Sequence, residues 1–313
     1  STSSKMALRG PPAERSPVEL LSFGVVNLDK PPGPSSHQVA DWMRRLTNEA
    51  LADAVANTTI ERAAHAGTLD PAVTGSLPTM LGTATRLAQV FDQSTKEYVA
   101  ELEIHGPVPA NFADVLAAFE GEIYQKPPRK SAVRRRRRVR EIHELELLEL
   151  TGRQGLLRVR CDSGTYIRKL CHDLGLALGT GAHMGDLRRT ATGTFDDRTL
   201  VTMEDFADAL AFWVDNGETE PLRDVVAPGE RALETLARVV IAPSAARAVA
   251  EGAPVYAPGV IGTEPAPVGD TTPESGSLVC CVTPDGAAVC LGTLVGDASA
   301  TSGTVVDLER VLV

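Results

Sequence analysis

Two hydrophobic rhythms alternate through the first three-quarters of this chain, and only one of them continues to its end. The apolar-rich run from Phe23 to Leu28 reads as a buried strand, stopped by the rigid turn Asp29-Lys30-Pro31-Pro32-Gly33-Pro34. Val39, Trp42, Met43 and Leu46 then recur at helical spacing behind Ser35 or Ser36, either of which can cap a helix. The same spacing returns at Ala84, Leu87, Ala88 and Phe91, at Phe112, Val115, Leu116 and Phe119, and at Ile167, Leu170, Cys171 and Leu174, where Ser163-Gly164-Thr165 supplies a turn and a cap. Between these lie strand patterns: 96–105, with Tyr98, Ala100, Leu102 and Ile104 on one buried face, then 142–150, 155–161 and Leu187 to Phe195. After residue 235 the helical rhythm almost vanishes. Arg238–Ala242, Leu278–Thr283, Ala288–Leu294 and Thr304–Leu312 read as strands, Pro284-Asp285-Gly286 as a hairpin turn, and only 244–251 as helix. The expected fold class is α+β, with a tail over 1–19, a first domain over 20–235 and a small β-barrel over 236–313. The Ser-, Pro- and charge-rich composition of the tail reads as disorder.

At 313 residues the chain has room for two domains, and 43% hydrophobic residues are enough for real cores. No run approaches the roughly 18 apolar residues of a membrane span, and no charged-then-apolar signal segment opens the chain. The five cysteines (161, 171, 280, 281 and 290) form no Cys-x-x-Cys pair, which argues against a zinc site or disulfide framework and for a reducing cytoplasm. The net charge of -10 argues against nucleic acid as a partner, but its distribution does not. Lys126 to Arg140 holds nine basic residues (126, 129, 130, 134–138 and 140) and no acidic one, whereas Leu236 to Val313 holds three basic and eight acidic, 3 − 8 = −5. A basic run inside an acidic protein is either a solvated loop or a path for a polyanion. Arginine supplies most of the positive charge, as in salt-adapted or GC-rich sources.

The chemistry-bearing residues are few. His65-Ala66-Gly67-Thr68-Leu69-Asp70-Pro71, followed by Ala72-Val73-Thr74-Gly75, places an acid in a stiff turn. Arg168 falls in the first turn of its helix and off the apolar stripe, where a cation opposes the helix dipole. A carboxylate partner would account for it, and such a pair holds an aspartate ionised and below the usual carboxylate range. An ionised, rigid carboxylate can attack a sugar carbon or act as a base, and a buried Tyr98 offers a flat face and a hydroxyl. Taken singly, each has an ordinary reading as turn former, core tyrosine or surface arginine.

Together the segments resemble a known family. HAGTLDPAVTGSLP (65–78) resembles the signature of the pseudouridine synthases that include the bacterial tRNA T-loop enzyme and dyskerin, and VVNLDKPPGPSSHQVADW (25–42) resembles their first motif. KEYVAELEIHG (96–106) is similar to their tyrosine strand, and CDSGTYIRKLCHDLG (161–175) and GAHMGDLRRTATGTF (181–195) to later motifs. YQKPPRKSAVRRRRRVREI (124–142) and LCHDLGLALGTGAHMGDLRRT (170–190) are nearer to the archaeal catalytic subunit of H/ACA guide-RNA particles. The resemblance implies a catalytic domain with a mixed, largely antiparallel sheet flanked by helices, and a PUA RNA-binding barrel over 236–313. It implies isomerisation of uridine to pseudouridine, with Asp70 the essential carboxylate, Arg168 its counter-ion, Tyr98 stacked on the base, His65 holding the flipped nucleotide and Leu187 an apolar wall. It implies no metal and no organic cofactor. The implied partners are guide RNA, rRNA, possible tRNA, and the small proteins of the particle, with no membrane. Two other readings stand beside it: a stand-alone tRNA T-loop synthase, and an RNA-binding scaffold of ribosome assembly. Ala64 and Ala66 around His65, Asp162-Ser163 for a more usual Glu-Ala, and the acidity of 236–313 depart from the family pattern.

Overall fold

A computed structural model describes residues 7–127 and 136–313. Arg129, Lys130, Arg134 and Arg135 of the basic run, and tail residues 1–6, lie outside the described residues. The first unit holds α1 (Pro17–Ser22), β1 (Phe23–Lys30), α2 (Ser36–Ala54), β2 (Ala63–His65), β3 (Thr74–Gly82), α3 (Ala88–Asp92), β4 (Lys96–Ile104), α4 (Phe112–Ala118), β5 (Gly121–Gln125), β6 (Arg138–Thr151), β7 (Gln154–Cys161), α5 (Ile167–Leu178), β8 (Ala182–Thr192), β9 (Phe195–Asp196), α6 (Met203–Asn216), α7 (Glu220–Val225) and β10 (Ala227–Pro228). Its ten strands form one sheet of order β10-β1-β3-β8-β4-β7-β6-β5, with β2 on β3 and β9 on β8. All its strand pairs are antiparallel except β3 with β8. This is the mixed, largely antiparallel α+β architecture expected.

The stripes behave as read. Ile167, Leu170, Cys171 and Leu174 are buried against the faces of β4, β6 and β7, and Val39 and Met43 are buried against β1 and β3. Ser35 caps α2 by accepting the Gln38 N–H. Three expectations are corrected and one pair of strands was not foreseen. The run 84–91 is a 3-10 turn (Thr83–Leu87) followed by the short α3, not one helix. The strand expected from 142 begins at Arg138, so basic residues enter the sheet. Ser163-Gly164-Thr165 gives α5 no side-chain cap; the Thr165 hydroxyl donates instead to the Asp162 carbonyl. Finally β2, just before the Asp70 turn, and β3, just after it, had no strand reading: β2 is only three residues long, and Gly75, Pro78 and Gly82 interrupt the pattern of β3. Gly75 has a use there. Its φ of +105° and bare Cα let the Arg189 backbone of β8 approach, where a Cβ would stand 2.1 Å from the Arg189 carbonyl oxygen.

The second unit is a six-stranded sheet of order β12-β16-β15-β14-β11-β13, built from β11 (Arg238–Ile241), β12 (Val255–Tyr256), β13 (Val260–Glu264), β14 (Leu278–Val282), β15 (Ala288–Leu294) and β16 (Thr304–Val311), with α8 (Pro243–Ala250) beside it. It does not hang free. Cys280, Val282, Ala288, Leu291 and Leu312 share one buried cluster with Phe23, Val25, Met80, Leu87 and Phe91 of the first unit. All five cysteines are free and buried. Burial pushes the Cys161 and Cys171 thiols up to about 12, which makes them inert packing groups.

The described part of the expected tail is also built in. Arg9 lies over the Phe23 ring at 4.1 Å and donates to the Leu312 carbonyl and the Thr83 hydroxyl, both at 2.7 Å. Arg15 is wholly buried and forks onto Glu230 at 2.7 and 2.5 Å, while Glu230 Oε1 also accepts the Ala288 N–H at the head of β15. The segment thus bonds to both units through one desolvated ion pair. Arg15→Ala would strand the Glu230 carboxylate, and we expect it to cost about 3–5 kcal/mol in unfolding free energy. Chemical denaturation measures this, and an unchanged midpoint would contradict the account.

Candidate active site

The turn bearing Asp70 is fixed through its backbone from three sides. The Lys30 ammonium, with no exposed surface, donates at 2.9 Å to each of the carbonyls of Pro31, Pro71 and Val73. Ser36, at the start of α2, accepts the Leu69 N–H and donates to the Leu69 carbonyl, both at 2.8 Å. Gly33 N–H adds a bond to the Pro71 carbonyl at 2.8 Å. Leu69 and Val73 are buried in the core beside α2. Residues 69, 71 and 73 therefore point their bonding groups inward, while the Asp70 side chain between them is 65% exposed.

Arg168 meets it there. Its guanidinium lies 3.5 Å from the Asp70 carboxylate, with its own side chain 68% exposed. An ion pair so open to water adds little to folding. What it has is access, because both groups can reach a ligand. The cation near the start of α5 has the carboxylate partner its position called for.

The second part of the site lies on β4 and β8. Tyr98 stands opposite Arg189 and Ala100 opposite Leu187 in the ladder, so Tyr98, Leu187 and Arg189 share one face. Tyr98 and Leu187 pack into the apolar cluster that contains Leu69 and Val73, which places this surface against the residues flanking Asp70. Burial pushes the Tyr98 phenol up, with the Arg189 guanidinium hydrogen-bonded to it and pulling the other way. The phenol therefore keeps its proton at neutral pH.

Arg189 joins the two parts. It is 2% exposed and donates to the carbonyls of Ser76 (2.8 Å), Ala66 (3.1 Å) and Gly67 (3.0 Å). Gly67 has φ +82°, and a Cβ there would stand 3.2 Å from the Arg189 guanidinium. Ala66 causes no conflict: its methyl is buried in the cluster beneath the sheet, and its N–H donates to the Pro78 carbonyl. His65 ends β2 beside this loop, and among the described residues its buried Nδ1 has no hydrogen-bond partner. Burial, then the charge of Arg189, holds the His65 imidazole below its usual value, so it is neutral near pH 7. Arg188, one residue earlier and on the opposite face, forks onto Asp29 at 3.0 and 3.1 Å.

Arg188 and Arg189 had no role in the reading of the sequence, and Lys30 and Ser36 were read only as a turn residue and a candidate helix cap, not as supports of the Asp70 turn. The signal for the arginines was Arg188-Arg189 within a strand, which must send one guanidinium to each face and so bury one of them. The basic run is anchored where it is described. Tyr124 is exposed at the end of β5, with the Arg137 guanidinium 5.9 Å from its ring centre. Among the described residues, Glu141, His143 and Asp162 bring metal-ligating atoms within 4.8 Å of one another. Asp162 bonds Nε2 of His143 at 2.9 Å, while Glu141 faces Nδ1 at 3.7 Å. The carboxylates engage opposite edges of one ring, which is a hydrogen-bond arrangement and a poor shape for a shared ion. Among the described residues, no helix is long and apolar enough to cross a membrane.

Comparison with known proteins gives the family and the fold. The N-terminal domain of TruB family pseudouridylate synthases matches residues 56–110 and 106–167, the tRNA pseudouridylate synthase B C-terminal domain matches 168–234, and the DKCLD (NUC011) domain matches 7–40. A Haloarcula marismortui protein named "Probable tRNA pseudouridine synthase B" is 64% identical over 313 residues, covering 100% of this chain and 96% of that protein. A Halobacterium salinarum protein of the same name is 59% identical, covering 98% and 100%. Among solved structures, a Cbf5-Nop10-Gar1 complex matches with TM-score 0.86 at 41% identity, over 98% of this chain and 90% of that one. An H/ACA RNP bound to a substrate RNA containing 2'-deoxyuridine matches with TM-score 0.85 at 39% identity, over 100% and 92%. The chain belongs to the TruB family of pseudouridine synthases.

Proposed function

We propose that this chain isomerises uridine to pseudouridine in RNA, chiefly in rRNA selected by an H/ACA guide RNA, with Asp70 as the essential carboxylate. The observation that carries the reading is the exposed Asp70–Arg168 pair on a backbone fixed from three sides, beside the Tyr98 and Leu187 surface. The N1–C1′ bond of the nucleoside breaks, the uracil turns, C5 bonds to C1′, and the C5 proton is replaced by one on N1. Base and ribose stay in the pocket and the reaction is redox-neutral. Asp70 acts at the sugar–base bond, and Arg168 orients it. Tyr98 stacks on the uracil, and its hydroxyl relays the proton, giving its own to N1 as it takes up the one leaving C5. Leu187 closes the pocket as an apolar wall, and neutral His65 supports the flipped nucleotide.

Extruding a base costs a few kcal/mol, least where it is already unpaired. A guide that presents an unpaired uridine lowers that cost and takes over sequence selection. The described basic residues Lys126, Arg136, Arg137, Arg138 and Arg140 then lie along the RNA path, and exposed Tyr124 offers a stacking face. Residues 236–313 serve as the PUA module, anchoring guide RNA through few phosphate contacts, as their net charge of 3 − 8 = −5 demands. Partners equivalent to the Nop10 and Gar1 of the matched complexes complete the particle. Five free thiols suit the reducing cytoplasm.

A second reading is direct action on the T-loop uridine of tRNA, favoured by the names of the matched relatives. A pure assembly scaffold is disfavoured, because a rigid turn that exposes an aspartate–arginine pair serves no packing need. Pseudouridine mapping in rRNA and T-loop tRNA, with and without guide RNA and small proteins, separates these readings. Product in rRNA that depends on the guide is expected; product in tRNA alone, indifferent to the guide, would replace the first reading with the second. Arg168→Lys keeps the charge but loses the planar fork. We expect its single-turnover rate to fall about tenfold or more with RNA affinity nearly unchanged. A wild-type rate would remove Arg168 from the mechanism.

A further inference from the structure

Arg168 can meet Asp70 only if the first turn of α5 starts in the right place, and among the described residues of that turn there is no side-chain cap. The start is held from across the sheet. Gln125, the last residue of β5, is 2% exposed, and its amide makes a closed pair with the backbone of Tyr166. Oε1 accepts the Tyr166 N–H at 2.9 Å and Nε2 donates to the Tyr166 carbonyl at 3.0 Å. That carbonyl also accepts the Leu170 N–H at 3.0 Å, the first bond of the helix. Both of its lone-pair directions are therefore occupied, one by the helix and one by Gln125. Tyr166 is the N-cap residue and Arg168 lies two residues on.

We infer that Gln125 is a positioning residue for the reaction, setting the start of α5 and through it the approach of the Arg168 guanidinium to Asp70. The inference rests on the proposed roles of Asp70 and Arg168. A primary amide suits the position because it supplies one donor and one acceptor in one plane, matching the N–H and C=O of a single residue. Leucine fills similar space but offers neither. Glutamate keeps the acceptor and loses the donor. Gln125 also sits where the basic run leaves the sheet: it is opposite Arg138 in the β5–β6 ladder, and Lys126 follows it. The strand ends that carry the run and the helix that carries Arg168 thus share one buried junction.

The test uses the full chain with whichever RNA, guide and small proteins the wild type needs for product. Single-turnover rate, RNA dissociation constant and thermal midpoint are measured for Gln125→Leu and Gln125→Glu, alone and combined with Arg168→Ala. Gln125→Leu is expected to slow the chemical step about 10–100-fold, as misplacement of a reacting group by about 1 Å does. RNA affinity should stay within about threefold, and Gln125→Glu should fall in between. In the Arg168→Ala background the Gln125 changes should alter the rate less than about twofold. A folded Gln125→Leu protein at the wild-type rate, or losses that multiply in the Arg168→Ala background, overturns the inference. If Gln125→Leu does not fold, Gln125→Glu decides by the same two criteria. A wild-type protein that forms no pseudouridine under any of these conditions overturns the proposed function and this inference with it.

Discussion

A buried ammonium group must be saturated with acceptors, and the geometry around Asp70 follows from how Lys30 meets that demand. Its three acceptors are carbonyls on both sides of one turn and at the exit of its own strand. Because Lys30 ends β1, Pro31 begins the approach to α2, and Pro71 and Val73 follow Asp70, satisfying one charge locks strand, turn and the approach to α2 together. Burial and the cost of removing the charge from water hold Lys30 below its usual value, with the Asp70 carboxylate acting to raise it. The ammonium form is kept by its acceptors.

Arg189 repeats the device one layer deeper. It spends its donors on the carbonyls of residues 66, 67 and 76 and on the Tyr98 phenol, so one side chain ties the β8 strand, the His65 loop and Tyr98 together. Both buried cations act on backbone, whereas the cation that faces Asp70 does not share their burial. Preorganisation therefore resides in the main chain, while the Asp70 and Arg168 side chains stay open to solvent. An exposed ion pair alone would be screened and mobile. Mounted on a fixed turn and on a helix whose start is held by Gln125, it has a defined geometry without being sealed from RNA.

What the sequence made legible divides along range. The stripe of α5, the alternation of β4 and the cap at Ser35 are written within a few residues, and each stands as read. The Asp70–Arg168 pair was also legible, because a cation at a helix start is locally unfavourable and asks for a partner. The features that escaped are settled by distant residues. Arg15 looks like part of a disordered tail until Glu230, 215 residues away, closes its fork. β3 looks broken by Gly75, Pro78 and Gly82 until neighbouring backbones need the space those residues leave. Gln125 carries no local mark at all, since its partner is the backbone of Tyr166, 41 residues on.

The proposed reaction stands on Asp70, which Arg168 and Tyr98 assist and the rest of the molecule supports. The direct measurement compares wild type with Asp70→Asn, near-identical in shape, in the same assembled particle, following RNA binding and pseudouridine formation together. The account predicts full RNA binding, an unchanged thermal midpoint and a loss of product on the order of 10⁴-fold or more. Turnover at the wild-type rate in Asp70→Asn would contradict it.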